Sequence, residues 1–498
     1  MKKLLKIIGC ISLLALIEFS CYKIATYKPV ITEQDIANNK GNFSIIYNDD
    51  GTIHSLDGQL KKMKIKSEED ALSAINYYRN LFNIPDTASF RCVQTQESLT
   101  GTAYMFIQTL DDIDIVGTYI SLVTENDVLK AITVDIDRTI SSLALRHLSD
   151  DELNKIIVRH CSDKYEIQDK KEVIIDGKLY YQIYIVDKNN IFAFDDMRVF
   201  IEASTKKLYR ENQLSIIDTI ENTDYLYDED KAISIININE NGDWSLKTIE
   251  NGSYTSTNNT IEPNELCQDV YENILITYNW YKDRFDRDSY DDNNCPITCL
   301  IGAKSIRDNA AYWNALDIFV IGEAYKYDKA PASFLDVIAH EYSHAVFKSI
   351  TGEATIRNGD TEGISEGYAD IFGCLVDGDW IMAEGLKEGK ALSDPSDSGI
   401  KLVKDKQYPI TYKDENWSKT DGHRNSMILT KIAYKMSQQG FTNEELSNIW
   451  YQSIFYGYSD NSTYLTVLHN IEKSMRSLGY NDERIKAVRT LFNEVGIE

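Results

Sequence analysis

Hydrophobic and polar positions alternate in three runs early in the chain, "TAYMFIQTL" (102–110), "IDIVGTYISLVT" (113–124) and "DVLKAITVDI" (127–136). A period of two predicts strands. Before them, "SEEDALSAINYYRNLF" carries a helical period from Ser67, with Asp70 or Glu69 placed to close a capping box. A second, smaller unit repeats the order, with helix "SDDELNKIIVRHC" followed by strands "KLYYQIYIVD", "MRVFIEAS" and "KKLYREN". A polar, Asn- and Asp-rich stretch with short strands then runs from about Ile216 to Gln268. From Glu265 onward the helical period dominates, interrupted at "NGDTE" and "ALSDPSDSG", and the last hundred residues divide into four helices. There are no internal repeats and no low-complexity tract.

One helix breaks the expected partition of residue types. "VIAHEYSHAVF" (337–347) is apolar almost all round, as a buried helix is, yet it holds His340, Glu341 and His344. Positions four apart share a helix face, so the two imidazoles project side by side with the carboxylate next to them. Such groups are costly to bury unless something pairs with them. H-E-x-x-H on a helix offers a zinc ion two nitrogens and sets a carboxylate beside its open coordination position. A third histidine six residues after His344 would define one class of zinc peptidase, but that position is Ile350. The remaining option is a carboxylate from another helix. "GISEGYADIFG" supplies Glu366 and Asp370, four apart on one face. One can ligate the metal while the other accepts the second ring N–H of a ligating histidine.

Composition narrows the setting. A chain of 498 residues exceeds what one core supports and predicts several domains. A net charge of −26 argues against nucleic acid, whose phosphates require a basic surface. The start, "MKKLLKIIGCISLLALIEFSC", has a basic segment and an apolar run too short to span a bilayer, the pattern of a secretory signal over residues 1–21. Cys21 resembles a lipoprotein acylation site, although Glu18 stands where an aliphatic residue is usual. Eight cysteines do not make a disulfide scaffold; Cys267, Cys295 and Cys299 are close enough in sequence for one bridge, and Cys374 has the setting of a buried small hydrophobe. His147 and His160 have no acidic or histidine partner at a useful spacing and are taken as structural.

"HEYSH", "SEGYADIFG" 22 residues after His344, and "DGHRNS" follow the order found in the thermolysin family of zinc endopeptidases, and the chain resembles that family over nearly its whole length. The resemblance implies an α+β fold. Residues 22–140 and 141–215 would form two propeptide modules that inhibit the enzyme. A bilobed catalytic part would follow, with a strand-containing lobe (216–350) ending in the zinc helix and a helical lobe (351–498). It implies zinc on His340, His344 and Glu366, Glu341 as general base, Asp370 orienting His340, and His423 stabilising the oxyanion with Asp421 or a neighbour orienting it. Asn425 would hold substrate backbone. "DNAAYWNALDIF" would be the edge strand that pairs with substrate, with Trp313 aligned and Asn309 or Ala310 as the gripping position. Calcium would lie among Asp336, Asp377, Asp379 and Glu384, with Ile381 replacing a further acid.

Three positions depart from the family pattern. Lys390 stands where an arginine binds substrate and cannot make the same bidentate fork. "ATIRNGDTE" lacks the tyrosine that serves as second oxyanion donor, and Ser365 replaces the asparagine before Glu366. The expected activity is a secreted zinc endopeptidase made as a zymogen and cut near residues 210–225. Two rival readings are a zinc aminopeptidase, which needs a G-x-M-E-N element and a shorter histidine-to-glutamate gap, both missing, and a catalytically weak or silent zinc-binding surface lipoprotein.

Overall fold

The structure is a computed structural model. It describes residues 43–48, 50–58, 60, 63–140, 147–187, 197–210, 225–228, 233–237, 265–303, 306–314, 317–325, 330–352, 359–383, 390–391, 408–419 and 421–498. The signal segment, Cys21, Glu384, "ATIR" and most of the expected cleavage region lie outside these.

The N-terminal part is one eleven-stranded sheet. Its strands are β1 (Phe43–Tyr47), β2 (Ile53–Gly58), β3 (Ser89–Glu97), β4 (Thr102–Leu110), β5 (Ile113–Ile115), β6 (Tyr119–Glu125), β7 (Val128–Asp135), β8 (Tyr165–Ile175), β9 (Lys178–Asp187), β10 (Met197–Glu202) and β11 (Leu208–Arg210). The order is β1-β2-β7-β6-β4-β5-β8-β9-β10-β11, with β3 paired to β4. The expected run 113–124 is two strands, because Gly117 at φ +81° turns the chain between them. The expected division near residue 140 separates two cores but not two sheets. Helix α1 (Glu68–Tyr78) covers a core that includes Leu56, Phe82, Ile120 and Ile132, whereas α2 (Asp150–His160) covers Leu153, Ile174, Ile183 and Ile201. Parallel pairing of β5 with β8 joins the two halves. The α2 capping box closes between Ser149 and Glu152. At α1, Ser67 accepts the Asp70 amide, but the Asp70 carboxylate turns to the Lys66 amide, so that box stays half-formed. His147 does have an acidic partner, Glu172 at 2.8 Å, which lies on β8 and is distant in sequence.

The C-terminal part begins with a five-stranded sheet of β12 (Tyr225–Asp228), β13 (Ile233–Asn237), β14 (Ile297–Ala303), β15 (Ala310–Trp313) and β16 (Ile318–Gly322), ordered β12-β13-β14-β16-β15. Strand β15 is an edge. Cys295 and Cys299 are free thiols, which rules out the bridge between them. Helices α3 (Glu265–Phe285), α4 (Leu335–Thr351) and α5 (Gly359–Asp377) share one core with this sheet. Helix α5 runs through the glycine-bearing "GDTE" that was expected to interrupt it. Gly373 lets α5 approach α4 closely, since a Cβ there would lie 2.9 Å from the Asp336 carbonyl oxygen. The remaining helices are α6 (Gly422–Asn425), α7 (Met427–Gln438), α8 (Asn443–Ile454), α9 (Tyr464–Ser477) and α10 (Asp482–Glu494), packed around Trp450, Leu468 and Phe492. No helix among the described residues is long and apolar enough to cross a membrane.

The N-terminal sheet docks on the C-terminal part through polar contacts. Gln96 Nε2 donates to the Ser349 carbonyl at 2.9 Å, the Leu99 amide to Gln452 Oε1 at 2.9 Å, and Ser121 Oγ to the Phe455 carbonyl at 2.7 Å. Lys473 Nζ, fully buried on α9, donates to Thr133 Oγ1 at 3.1 Å. Two histidines lie close to this lysine. Burial and the Lys473 charge hold His54 down to about 3, and burial with Lys473, Arg489 and Arg476 holds His469 down to about 4. Both are therefore neutral when docked, and protonating them is penalised as the pH falls below the free value near 6.5. The penalty grows by about 1.4 kcal/mol per pH unit per group. Burial raises the carboxyls of Asp57 and Asp135 at the same interface, which opposes this loss. Stability should accordingly fall between pH 6.5 and 5. Thermal melts of the full chain at the two pH values should show this drop, and His54→Gln/His469→Gln should flatten it.

Candidate active site

Helix α4 presents His340 and His344 towards α5, with Glu341 beside them turned to the sheet. All three have limited exposure, and the rings of the two histidines meet edge to face with centroids 4.7 Å apart. Their Nε2 atoms face each other at 3.1 Å. Glu366 on α5 brings Oε2 to 3.4 Å from His340 Nε2 and Oε1 to 3.5 Å from His344 Nε2. One donor atom from each of the three residues lies within 4.8 Å of the others, the one such group among the described residues.

The donor set fits a divalent cation. Two imidazole lone pairs pointing at each other repel unless a proton or metal sits between them, and Glu366 Oε2 is buried without a hydrogen-bond partner. Charge points the same way. Burial alone would lower the proton affinity of His340, yet Asp370, Glu366 and Glu341 together lift it well above the usual imidazole range. Burial would raise Glu366, but His423, His344 and His340 hold it well below the carboxylate range. Two nitrogens and one carboxylate oxygen are the donors zinc accepts in sites that keep a fourth position open.

The outer ring nitrogens each lie near an oxygen of α5. His340 Nδ1 lies 3.1 Å from Asp370 Oδ1, and Asp370 Oδ2 also accepts from Ser426 Oγ at 2.8 Å. His344 Nδ1 lies 3.0 Å from Ser365 Oγ. With a cation on the two Nε2 lone pairs, each Nδ1 would carry the ring proton and face these oxygens. Ser365, which stands where the family has an asparagine, thus occupies the contact that orients the His344 ring. Spacing could have signalled it, because the residue before Glu366 lies at the edge of the same helix face. Glu341 turns to the sheet: its Oε2 accepts the Tyr312 amide of edge strand β15 at 2.6 Å. That contact was invisible in sequence, since its donor is backbone.

His423 stands on α6 at the rim, 69% exposed, with Nε2 3.4 Å from Glu366 Oε2. Asp421 is 3.9 Å from its Nδ1, at the limit of an ion pair and beyond hydrogen-bond reach. Asn425 differs from its expected place. It is fully buried, its Nδ2 donates to the Gly359 and Ser418 carbonyls at 2.8 and 2.7 Å, and its Oδ1 accepts the Ser418 amide at 3.0 Å. An amide so engaged braces the α5–α6 junction and has no group left for substrate. Trp313 also differs: it packs with Leu300 and Val320 on the face of the sheet turned away from α4. Asn309 and Ala310 both line the cleft. Lys390 belongs to a short strand pairing with Met382, and its side chain lies outside the description.

The acids expected at calcium are near one another. Burial, together with Asp377 and Asp379, raises the Asp336 carboxyl to about 6. Asp336 accepts the Val337 amide at 2.7 Å on one oxygen and the Ala383 amide on the other. Asp379 accepts the Ile381 amide at 2.8 Å.

The cleft opens into a cavity of about 740 Å3 whose far wall is the N-terminal sheet. Met105, Ile107, Thr118 and Tyr119 face His340, Glu341, His344 and His423 across it. On that wall Arg91 and Lys171 bracket the buried Asp114 at 2.7 and 2.5 Å.

Bacillolysin of Brevibacillus brevis is 27% identical over 49% of this chain and 51% of its own. Neutral protease B of Bacillus subtilis is 27% identical over 46% of this chain and 44% of its own. Protease PrtS of Photorhabdus sp. is 25% identical over 64% of this chain and 91% of its own. The chain thus spans about half the length of the first two relatives. A solved precursor of protealysin, a metalloproteinase from Serratia proteamaculans, overlaps 58% of this chain and 91% of its own at 20% identity and a TM-score of 0.41. Two family models match consecutive stretches, thermolysin metallopeptidase catalytic domain over residues 202–348 and thermolysin metallopeptidase alpha-helical domain over 358–497. Together they cover more than half of the sequence, and the chain belongs to the thermolysin metallopeptidase family.

Proposed function

We propose that this protein is a zinc-dependent endopeptidase made as a latent, secreted precursor. The observation that carries the proposal is the convergence of His340, His344 and Glu366 within 4.8 Å, with the Glu341 carboxylate beside them and an edge strand alongside. His340, His344 and Glu366 would hold the zinc. When bound it supplies Lewis-acid polarisation of the scissile carbonyl and acidifies the attacking water.

The remaining work falls to this chain's own side chains. Glu341 takes the proton of the attacking water and delivers it to the leaving amine. Its hydrogen bond from the Tyr312 amide fixes one oxygen and leaves the other to face the cleft. His423 lies on the opposite rim, where its imidazole can donate to the oxygen that gains charge in the transition state. Extended substrate adds to the free edge of β15 by backbone hydrogen bonds, the usual way a peptide joins a sheet edge.

The N-terminal sheet would act as the inhibitor. It forms one wall of the cavity over the site and so denies a long substrate its path along the cleft. Cleavage near residues 210–225 would separate it from the catalytic part, and sequencing the N-terminus of the mature form tests this. Mass spectrometry of the precursor's own N-terminus reports at the same time whether Cys21 carries lipid. The peptidase proposal itself is tested by digestion of casein or a blocked internal peptide. Cleavage at internal bonds is the expected result, and its absence from a zinc-loaded, processed preparation would leave a zinc-binding surface protein as the better reading.

Ser365 offers a narrower check. Removing the partner of a ligand's outer ring nitrogen commonly weakens metal binding about 10–100-fold. Ser365→Ala should do so, whereas Ser365→Asn, which keeps an acceptor, should bind within a few-fold of wild type. Competition with a zinc-sensitive dye measures both.

A further inference from the structure

His423 presents a puzzle of placement. It is largely exposed, sits on a helix of four residues, and stands too far from Asp421 for a hydrogen bond. Free side chains on short helices sample several positions, yet an oxyanion donor is effective only when held near its working geometry. Something other than its own neighbours must fix the height of α6 above the cleft.

Three contacts of α6 lead to one element. Glu362, in the first turn of α5, accepts the Gly422 amide on its Oε2 at 3.0 Å. At the other end of α6, Asn425 Nδ2 donates to the Gly359 carbonyl, and Ser426 Oγ donates to Asp370. All three partners belong to α5, the helix that also carries Glu366. The fit at Gly422 is close: a Cβ there would lie 2.3 Å from Glu362 Cγ and 2.6 Å from the Glu362 carbonyl carbon. Only glycine lets α6 settle onto the Glu362 side chain. Glu362 and Gly422 are therefore a matched pair, one long and one without a side chain. Glu362 also lines the same cleft as His423 and Glu366.

We propose that Glu362 is the positioning residue for His423, holding the Gly422 amide so that the imidazole stands at a set distance from Glu366. Asn425 and Ser426 anchor the far end of α6 and act as general braces. Glu362 acts on the end where His423 sits, one residue from the contact. This inference rests on the proposed peptidase activity, in which His423 works on the transition state.

The experiment combines a double-mutant cycle with hydrogen exchange. In the zinc-loaded protein, Glu362→Ala should lower kcat on a blocked internal peptide about 10–100-fold with KM changed little, the signature of a misplaced transition-state donor. Glu362→Gln retains an acceptor and should stay within a few-fold of wild type. In a His423→Ala background, Glu362→Ala should have almost no further effect, because the residue acts through the imidazole. The exchange of backbone amides over 421–426, read on the full chain and independent of activity, should accelerate in Glu362→Ala and not in Glu362→Gln. Additive losses in the cycle, or unchanged exchange over α6, would overturn the assignment. Gly422→Ala supplies a second perturbation should Glu362→Ala unfold, and it should reproduce the kcat loss. A wild type that cleaves nothing while α6 exchange still depends on Glu362 would sink the peptidase proposal and not the structural link.

Discussion

Glu366→Ala should bind zinc more than about tenfold more weakly than wild type and lose peptidase activity in proportion. Wild type should carry about one zinc per chain. The reason lies in what remains after truncation. His340 and His344 come from one helix and approach the metal position from one side, with their Nε2 atoms 3.1 Å apart. Glu366 is the only protein oxygen of the group that closes the site from α5 and the only one that brings negative charge to it. Without it only the two imidazoles of α4 are left, and solvent competes for the cation. The helix itself should survive, because Tyr368, Phe372 and Leu375 remain packed in the core. Elemental analysis after dialysis gives the stoichiometry, and circular dichroism establishes that α5 is intact. Undiminished zinc in a folded Glu366→Ala would mean that another residue is the third ligand.

Glu341→Gln is expected to separate the metal from the chemistry. The amide has the size of the carboxylate and can still accept the Tyr312 amide, so the packing of α4 against β15 is retained. It cannot take a proton from water. General acid–base groups contribute about 10²–10⁴-fold to rate, and kcat should fall by that order. Zinc content should stay at the wild-type level, since Glu341 is not among the three converging donors. A Glu341→Gln protein that kept more than about a tenth of wild-type activity would remove the residue from the role of base.

What could be read from sequence was what helical periodicity controls. His340 with His344, and Glu366 with Asp370, are pairs four apart, and a helix by itself places each pair on one face. The edge strand in "DNAAYWNALDIF" was legible from its resemblance to the family's, but the face taken by Trp313 was not. That face depends on register against β16, and a shift by one residue exchanges the two sides. Asn425 shows a different limit. Its neighbours in "DGHRNS" mark a substrate-facing loop, while the carbonyls it serves, Gly359 and Ser418, become adjacent only in the folded chain. The union of the N-terminal units into one sheet was hidden for a related reason. The joining strand β8 is mostly polar, exposed along its middle, and held by pairing with β9 through the Asp176–Gly177 turn. The Tyr312 amide and the Gly422 amide, which hold Glu341 and α6, are backbone groups that every residue possesses. No side-chain pattern announces them.

The central claim is that this chain cuts internal peptide bonds with a metal held by His340, His344 and Glu366 and a proton moved by Glu341. The most direct measurement follows hydrolysis of one blocked internal peptide by the processed wild type before chelation, after chelation and after zinc is restored, beside Glu341→Gln carried through the same steps. Cleavage that disappears with the chelator, returns with zinc and is lost in Glu341→Gln at full zinc occupancy is the predicted result. Wild-type cleavage no faster than that of zinc-loaded Glu341→Gln, or cleavage indifferent to the chelator, would contradict it.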